Sequence, residues 1–164
     1  MILIRKCRKQ GGYFRQRMVF SKSFGYALRG VLYVALTTDQ KGKVQLDEIA
    51  EKLAVPRYFL GKIMNRLVND GILASEKGHK GGFSINDQTL HINLMRLVKI
   101  TGDSESFNSC ALRLRKCNPA NPCPLHFEVE KLRNQWYKLL TETTIDDLLK
   151  RDQPDFLKSI ATIS

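Results

Sequence analysis

The chain has 164 residues, 43% of them hydrophobic, which is enough for one domain with a real core and too few for two full-sized domains. No apolar run approaches the roughly 20 residues that span a bilayer, which excludes a transmembrane protein, and a charged fraction of 26% without low-complexity tracts argues against disorder over most of the length. Lys and Arg number 27 against 16 Asp and Glu, and the net charge of +11 favours a polyanionic partner, either nucleic acid or an acidic membrane surface.

Residues 1–17 contain six of the basic residues and no acidic one. We expect a disordered basic arm or, as an alternative, an extension from an upstream start, with Met18 as the natural first residue. The arm lacks both a secretory signal and an amphipathic face, so we expect a cytoplasmic protein that does not bind membranes. In that reducing compartment a disulfide framework is the weaker interpretation of the cysteines.

Residues 18–100 carry the periodicities of four helices and two short strands. The helices are predicted over 21–38, 46–53, 57–69 and 90–100, and the strands over 72–76 and 83–86. Pro56 suits the first turn of the third helix and Gly71 its end. Two short helices joined by a tight turn, followed by a hairpin with a cationic tip, predict a winged helix-turn-helix. The fold class is therefore mainly α (α+β), with any small α+β domain as the alternative.

The third helix and the hairpin tip are the predicted DNA-binding elements. The amino-terminal part of the second helix of a helix-turn-helix enters the major groove, where Arg and Lys donate to guanine edges and phosphates. The predicted contacts on this helix are Arg57, Tyr58, Lys62 and Asn65. A core or phosphate-facing position is the alternative for Tyr58. His79 and Lys80, flanked by glycines, suit a minor groove. The competing interpretation is that these cations are ordinary solvated residues.

The rest of the chain divides into a cysteine-containing loop over 101–124, a helical segment over 125–150 and a tail over 151–164. Apolar residues from Leu125 to Leu140 recur at helical spacing. They give this helix more apolar surface than a lone peripheral helix needs. This long C-terminal helix is therefore a predicted dimerisation element. Thr144 and Asp147 resemble a capping box that opens a short helix through Leu149.

Three cysteines lie within fourteen residues, and a histidine follows the third: Cys110, Cys117, Cys123 and His126. Thiolates suit iron–sulfur clusters, zinc or copper(I). A structural zinc site more often shows paired C-x2-4-C knuckles, which this sequence lacks. An iron–sulfur cluster is the preferred interpretation, and zinc, redox-active thiols and unliganded cysteines stay open.

Several motifs occur together. They are Tyr26-Ala-Leu-Arg29 in the first helix, Asp47-Glu-Ile-Ala50 and Val55-Pro-Arg-Tyr-Phe-Leu60 in the helix-turn-helix, Gly78-His-Lys-Gly-Gly-Phe83 in the hairpin, and Cys123-Pro-Leu-His126, Trp136 and Thr144-Ile-Asp-Asp-Leu-Leu149 after the loop. In combination they resemble the bacterial winged-helix transcriptional regulator family that includes IscR, NsrR and CymR. The resemblance covers roughly residues 18–149.

The resemblance implies a homodimer whose long carboxy-terminal helices cross and whose three cysteines bind a 2Fe–2S or 4Fe–4S cluster. Loss, oxidation or nitrosylation of that cluster changes DNA affinity in such proteins. In the nitric-oxide-sensing branch a carboxylate near the start of the first helix completes the cluster, but the aligned residue here is Gly25. His126 is then the candidate fourth ligand, because a histidine stands just after the third cysteine in the iron–sulfur-homeostasis branch. The alternatives are water, Cys7 or a small thiol.

The sequence thus predicts a dimeric, sequence-specific transcriptional regulator that binds a palindromic operator in double-stranded DNA and is modulated by an iron–sulfur cluster. The alternative is a winged-helix regulator without a metal, controlled by thiol oxidation or by a partner protein. No C-x-x-C motif, Ser-His-Asp arrangement or phosphate-binding loop can be assigned. We therefore expect neither an enzyme nor a small-molecule substrate.

Overall fold

The computed structural model describes residues 20–78, 80–104 and 120–150. Within these ranges the α-helices are α1 (Lys22–Lys41), α2 (Leu46–Lys52), α3 (Arg57–Asn69), α4 (Leu94–Thr101), α5 (His126–Glu142) and α6 (Ile145–Leu149). The strands are β1 (Leu73–Glu76) and β2 (Gly82–Ile85), and a 3-10 turn covers Thr89–His91. The predicted basic arm and tail, together with His79, Cys110 and Cys117, lie outside the described residues.

Helix α1 begins at a serine cap and ends at a glycine. The Ser21 hydroxyl accepts a hydrogen bond from the Phe24 N–H, which satisfies one of the free donors at the helix start. The helix was predicted to end at Thr38 but continues for almost one more turn to Lys41. It ends at Gly42, whose positive φ of 73° suits glycine and whose N–H donates to the Thr38 carbonyl.

Helices α2 and α3 form the predicted helix-turn-helix. Between them Ala54 has a positive φ of 50°, which is uncommon for a residue with a Cβ. The turn is tied to α1, since Arg29 Nη2 donates to the Leu53 carbonyl at 2.5 Å. Burial of the Arg29 guanidinium lowers its pKa. Gly71, with a φ of 72°, lies just after the end of α3, as predicted.

Strands β1 and β2 pair antiparallel, with Leu73 opposite Ile85 and Glu76 opposite Gly82. Both lie within one residue of the predicted strands. Val44, ahead of α2, adds a bridge to Phe83 through two backbone hydrogen bonds of 2.8 and 2.9 Å. A Cβ on Gly82 would stand 2.7 Å from the Val44 carbonyl oxygen, so only glycine permits this close approach. The bridge fixes the hairpin next to the helix-turn-helix.

The predicted fourth helix over 90–100 is wrong in its first half. The structure has the 3-10 turn Thr89–His91, an extended Ile92 and then α4 from Leu94. Two side chains cause this break. Thr89 Oγ1 donates to the Ile72 carbonyl at 2.6 Å, and the Asn93 side chain caps α4 by accepting from the Arg96 N–H.

The core lies between α1, α3, α4 and the hairpin, and α5 and α6 join it through Leu140 and Ile145. A bridge between Asn93 and Thr144 attaches the α5–α6 turn to the start of α4. The predicted capping box is present: Thr144 Oγ1 accepts from the Asp147 N–H, and Asp147 Oδ2 accepts from the Thr144 N–H. No helix within the described ranges has the length and apolar content needed to cross a membrane.

Candidate functional site

Helix α3 presents one polar face to solvent and buries the other. Leu60, Ile63, Met64 and Leu67 are buried. Tyr58, Lys62 and Asn65 are all exposed. Their spacing of four and three residues places them one above the other along the outward face. Three of the four residues predicted on this helix therefore share a single stripe, opposite the side that fixes α3 in the core.

Tyr58 is not a core residue, because 68% of it is exposed. The Lys62 ammonium lies over the Tyr58 ring at 4.4 Å from its centroid. Such a cation–π contact is favourable by about 0.5–1 kcal/mol at an exposed site. It holds a positive charge against the outer surface of the helix, where a DNA backbone or base edge would lie.

Arg57 stands at the edge of this stripe, in the first helical position of α3. Its Nε forms an ion pair with Asp47 Oδ1 in the first turn of α2, and about two thirds of each side chain is exposed. Exposed pairs of this kind contribute about 0–1 kcal/mol, so a DNA phosphate can compete for the guanidinium. The sequence did not predict Asp47 as a partner of Arg57, because the two residues lie on different helices, α2 and α3.

The hairpin tip adds cations next to this helix. Lys77 and Lys80 are exposed, and the tip is closed by a hydrogen bond from the Gly81 N–H to the Gly78 carbonyl at 3.0 Å. Where β1 enters the tip, Lys43 pairs with Glu76. Of the two cations predicted to enter a minor groove, the structure describes Lys80, whereas His79 lies outside the described residues.

Two residues of α3 were not among the predicted contacts. Phe59 is 58% exposed, and Arg66, seven residues further along the same side of the helix, is also exposed. The helical periodicity contains the signal for both, because the buried residues Leu60, Ile63, Met64 and Leu67 leave positions 59 and 66 at the border of the outward face.

The described part of the cysteine constellation lies at the start of α5. Cys123 is a free thiol of intermediate exposure. The His126 N–H donates to the Cys123 carbonyl at 2.9 Å, and the His126 side chain is buried, with its ring centroid 5.2 Å from that of Phe127. Two of the four predicted ligands are thus linked through their backbones, one helical turn apart. Cys110 and Cys117 lie outside the described residues.

A buried carboxylate connects the start of α1 to the stem of the cysteine loop. Asp103 Oδ2 accepts from Ser21 Oγ at 2.6 Å, from the Ser21 N–H at 3.3 Å and from Thr101 Oγ1 at 3.1 Å. Asp103 is only 7% exposed. Sequence reasoning missed it, because its partners lie 82 residues away or on the preceding helix. It fixes the chain where the loop leaves α4.

Comparison with known proteins identifies the family. Residues 20–151 match a family described as "Rrf2: Iron-dependent Transcriptional regulator". A relative from Aquifex aeolicus, named as an HTH-type transcriptional regulator, is 36% identical over 138 residues, which is 83% of this chain and 94% of the relative. The regulator NsrR of Oceanobacillus iheyensis is 25% identical over 137 residues, covering 83% and 92% of the two chains.

Solved structures show the same fold. CymR of B. subtilis superposes with a TM-score of 0.64 at 20% identity and covers 82% of this chain and 98% of its own. IscR of T. potens superposes with a TM-score of 0.61 at 19% identity and covers 82% and 88%. The relatives are transcriptional regulators rather than enzymes. With its outward-facing basic helix and hairpin, this chain belongs to the Rrf2 family of DNA-binding transcriptional regulators.

Proposed function

We propose that the protein binds a palindromic operator as a homodimer and that an iron–sulfur cluster on its cysteines controls the affinity. The observation that carries the DNA-binding part is the exposed stripe of Tyr58, Lys62 and Asn65 on α3. In this arrangement α3 enters the major groove, and the hairpin tip with His79 and Lys80 reaches the adjacent minor groove. Free N–H groups at the start of α3 add phosphate contacts near Arg57.

A comparison of cationic residues on α3 with a lysine on α5 tests the DNA contact. Lys62→Ala is expected to weaken operator binding, with part of the loss appearing as a smaller dependence on salt concentration. Arg57→Ala is expected to act in the same direction. Lys131→Ala is the matched control, because Lys131 is equally cationic but exposed on α5. Equal operator affinities for all three variants and the unaltered protein would remove α3 from the interface.

The homodimer rests on an exposed apolar stripe along α5. Leu125, Leu132 and Leu139 are 46%, 57% and 44% exposed and lie seven residues apart. Leucines at this spacing form the seam of a coiled coil when a second helix covers them. A second copy of the chain covers such a stripe symmetrically, and two reading helices then face half-sites about 34 Å apart.

The oligomeric state measured by sedimentation tests this interface. Leu132→Asp is expected to give a folded monomer, because it places a charge in the seam and leaves the core unchanged. Asn134→Asp introduces the same charge on the opposite side of α5 and is expected to stay dimeric. A Leu132→Asp protein that remains a dimer at micromolar concentration would rule out this seam.

The donor set fits an iron–sulfur cluster. Cys123 supplies a free thiol at the exit of the loop, and Cys110 and Cys117 supply two more from the same segment. His126 is the proposed fourth ligand, although its buried ring must then meet the cluster from the helix side. A bound cluster would supply a centre that responds to oxidation, nitric oxide or cluster supply.

A series of contacts connects the stem of this loop to α3 through α1. Asp103, at the loop stem, holds Ser21 at the start of α1. Further along α1, Gly30 packs so closely on Met64 of α3 that a Cβ there would stand 3.0 Å from the Met64 sulfur. A change in the loop therefore reaches the orientation of α3 through α1. A coupling of about 1–3 kcal/mol changes operator affinity several-fold to a hundred-fold.

Iron and acid-labile sulfide in protein purified without oxygen test the cluster. Stoichiometric iron and sulfide are expected in the unaltered protein and are expected to disappear together in Cys117→Ala and Cys123→Ala. Cys7→Ala is the matched control, because Cys7 lies in the basic arm far from the loop in sequence. Full cluster content in the Cys117 and Cys123 variants would overturn the assignment.

A second candidate is control by thiol oxidation without a metal, and the partly exposed free thiol of Cys123 favours it. In this case the purified protein is free of iron and resists reconstitution, but its operator affinity changes on treatment with peroxide and recovers with a dithiol reductant. The response depends on Cys123. The same variants therefore distinguish the two forms of regulation.

A further inference from the structure

Two large aromatic side chains next to each other are exposed at the start of α3. Tyr58 is 68% and Phe59 58% exposed, and their ring centroids are 5.8 Å apart in an edge-to-face arrangement. Among the described residues, the other large hydrophobic side chains with comparable exposure lie between Leu125 and Leu139, at the proposed dimer seam and its surroundings. The aromatic pair is therefore an apolar patch on the reading helix itself.

Cations surround this patch on α3. Lys62 lies over the Tyr58 ring, with its Nζ 4.4 Å from the centroid. Arg66, seven residues after Phe59, is exposed on the same side of the helix. An apolar surface bordered by positive charge does not suit an apolar protein groove, because burial there would strip water from the two cations. It suits a partner that offers anionic groups around a small apolar group.

The major groove of DNA has this chemistry. Phosphates line both edges of the groove, guanine presents acceptors at its floor, and thymine presents its C5 methyl group as the apolar feature. The Phe59 ring carries no polar atom, so it gains nothing from hydrogen-bonding base edges and gains free energy only by covering an apolar group. The Tyr58 ring already has Lys62 on one face, which leaves Phe59 as the freer apolar surface.

We propose that Phe59 is a specificity-determining residue that contacts a thymine C5 methyl group in each operator half-site, while Tyr58 holds Lys62 beside it for the neighbouring base or phosphate. This proposal rests on the proposed function, in which α3 enters the major groove. It predicts a thymine at a fixed position of each half-site, close to the base or phosphate that Lys62 contacts.

Replacement of thymine by deoxyuridine tests the proposal, because it removes only the methyl group. The protein first selects its operator from a random double-stranded library. Each thymine is then replaced in turn, symmetrically in both half-sites, and affinities are measured by fluorescence anisotropy. Loss of one buried methyl corresponds to about threefold to fourfold in affinity, so both half-sites together give about tenfold.

One symmetric pair of thymines is expected to show this loss with the unaltered protein, and thymines outside the half-sites none. Phe59→Ala is expected to bind the operator and its deoxyuridine form equally well, whereas Phe59→Leu keeps part of the difference. Because Phe59 is largely exposed, the melting temperatures of both variants are expected to match that of the unaltered protein.

Two results would overturn the proposal alone: no sensitive thymine within the half-sites, or a sensitivity that Phe59→Ala leaves undiminished. Both can occur while Lys62→Ala still weakens operator binding, and the proposed function then survives. If the library yields no preferred sequence, the sequence-specific function fails and the proposal fails with it.

Discussion

Replacing Asp103 by alanine removes the carboxylate that joins the loop stem to the start of α1. Three hydrogen bonds end on Oδ2, from the hydroxyl and backbone N–H of Ser21 and from the hydroxyl of Thr101. The shortest, 2.6 Å from Ser21 Oγ, lies in a site where Asp103 is 7% exposed. A hydrogen bond to a charged group contributes about 1.5–3 kcal/mol, and the two longer bonds contribute less.

We expect Asp103→Ala to lower the free energy of unfolding by about 2–4 kcal/mol, from the lost charged hydrogen bonds and the lost anion at the α1 start. Urea denaturation followed by circular dichroism measures the change. Ser21→Ala removes both the partner of Asp103 and the N-cap of α1. Loss of the cap alone lowers the free energy of unfolding by about 1 kcal/mol. Because the two residues are in contact, the double variant is expected to fall short of the sum by about 1–2 kcal/mol.

Asp87→Ala is the control, because Asp87 is an exposed acid in the turn after β2, and a change of at most about 0.5 kcal/mol is expected there. The same small change in Asp103→Ala, or strict additivity with Ser21→Ala, would refute the proposed connection. In a cluster-loaded protein, Asp103→Asn is further expected to reduce the difference in operator affinity between the loaded and the cluster-free form.

Three further predictions concern the framework that positions α3. Ala54→Gly is expected to raise the free energy of unfolding by about 0.5–1 kcal/mol, because the φ of +50° suits glycine; a loss of stability in urea denaturation would contradict this. Gly25→Ala is expected to stabilise α1 by about 0.5–1 kcal/mol, since nothing lies within 4 Å of the new Cβ, whereas Gly30→Ala is expected to destabilise it by pushing on Met64; equal melting temperatures would refute the distinction. Burial and, second to it, the hydrogen bond to Glu48 raise the pKa of Tyr33 to about 12, so stability that is complete below pH 10 is expected to fall as the pH rises towards 12, and Tyr33→Phe is expected to flatten that part of the pH profile.

The arrangement of elements in the amino-terminal part follows from local sequence. Leu60, Ile63, Met64 and Leu67 carry the helical period of α3, and the glycines near position 80 mark the hairpin, so both elements were predicted within one or two residues. The fourth helix was predicted too long because apolar periodicity continues through the 3-10 turn. Its break depends on the contact from Thr89 to Ile72, seventeen residues away, which no local pattern reveals.

The candidate site was partly predictable for the same reason. The stripe of Tyr58, Lys62 and Asn65 follows from position on a helix whose buried face is known. The contacts of Arg57 with Asp47 and of Asp103 with Ser21 depend on how separate elements meet in space, so residue type and spacing do not contain them. Phe59 was not predicted as a contact, because a phenylalanine next to the buried Leu60 is typical of a core position.

The most direct test of the account combines cluster content and DNA binding in one anaerobic sample. Iron, sulfide and operator affinity are measured on the unaltered dimer before and after cluster removal, with Cys123→Ala and Cys7→Ala measured in parallel. We predict a several-fold or larger change in operator affinity that follows the cluster, persists in Cys7→Ala and is absent in Cys123→Ala. An operator affinity that is identical with and without stoichiometric iron and sulfide would contradict cluster control of this regulator.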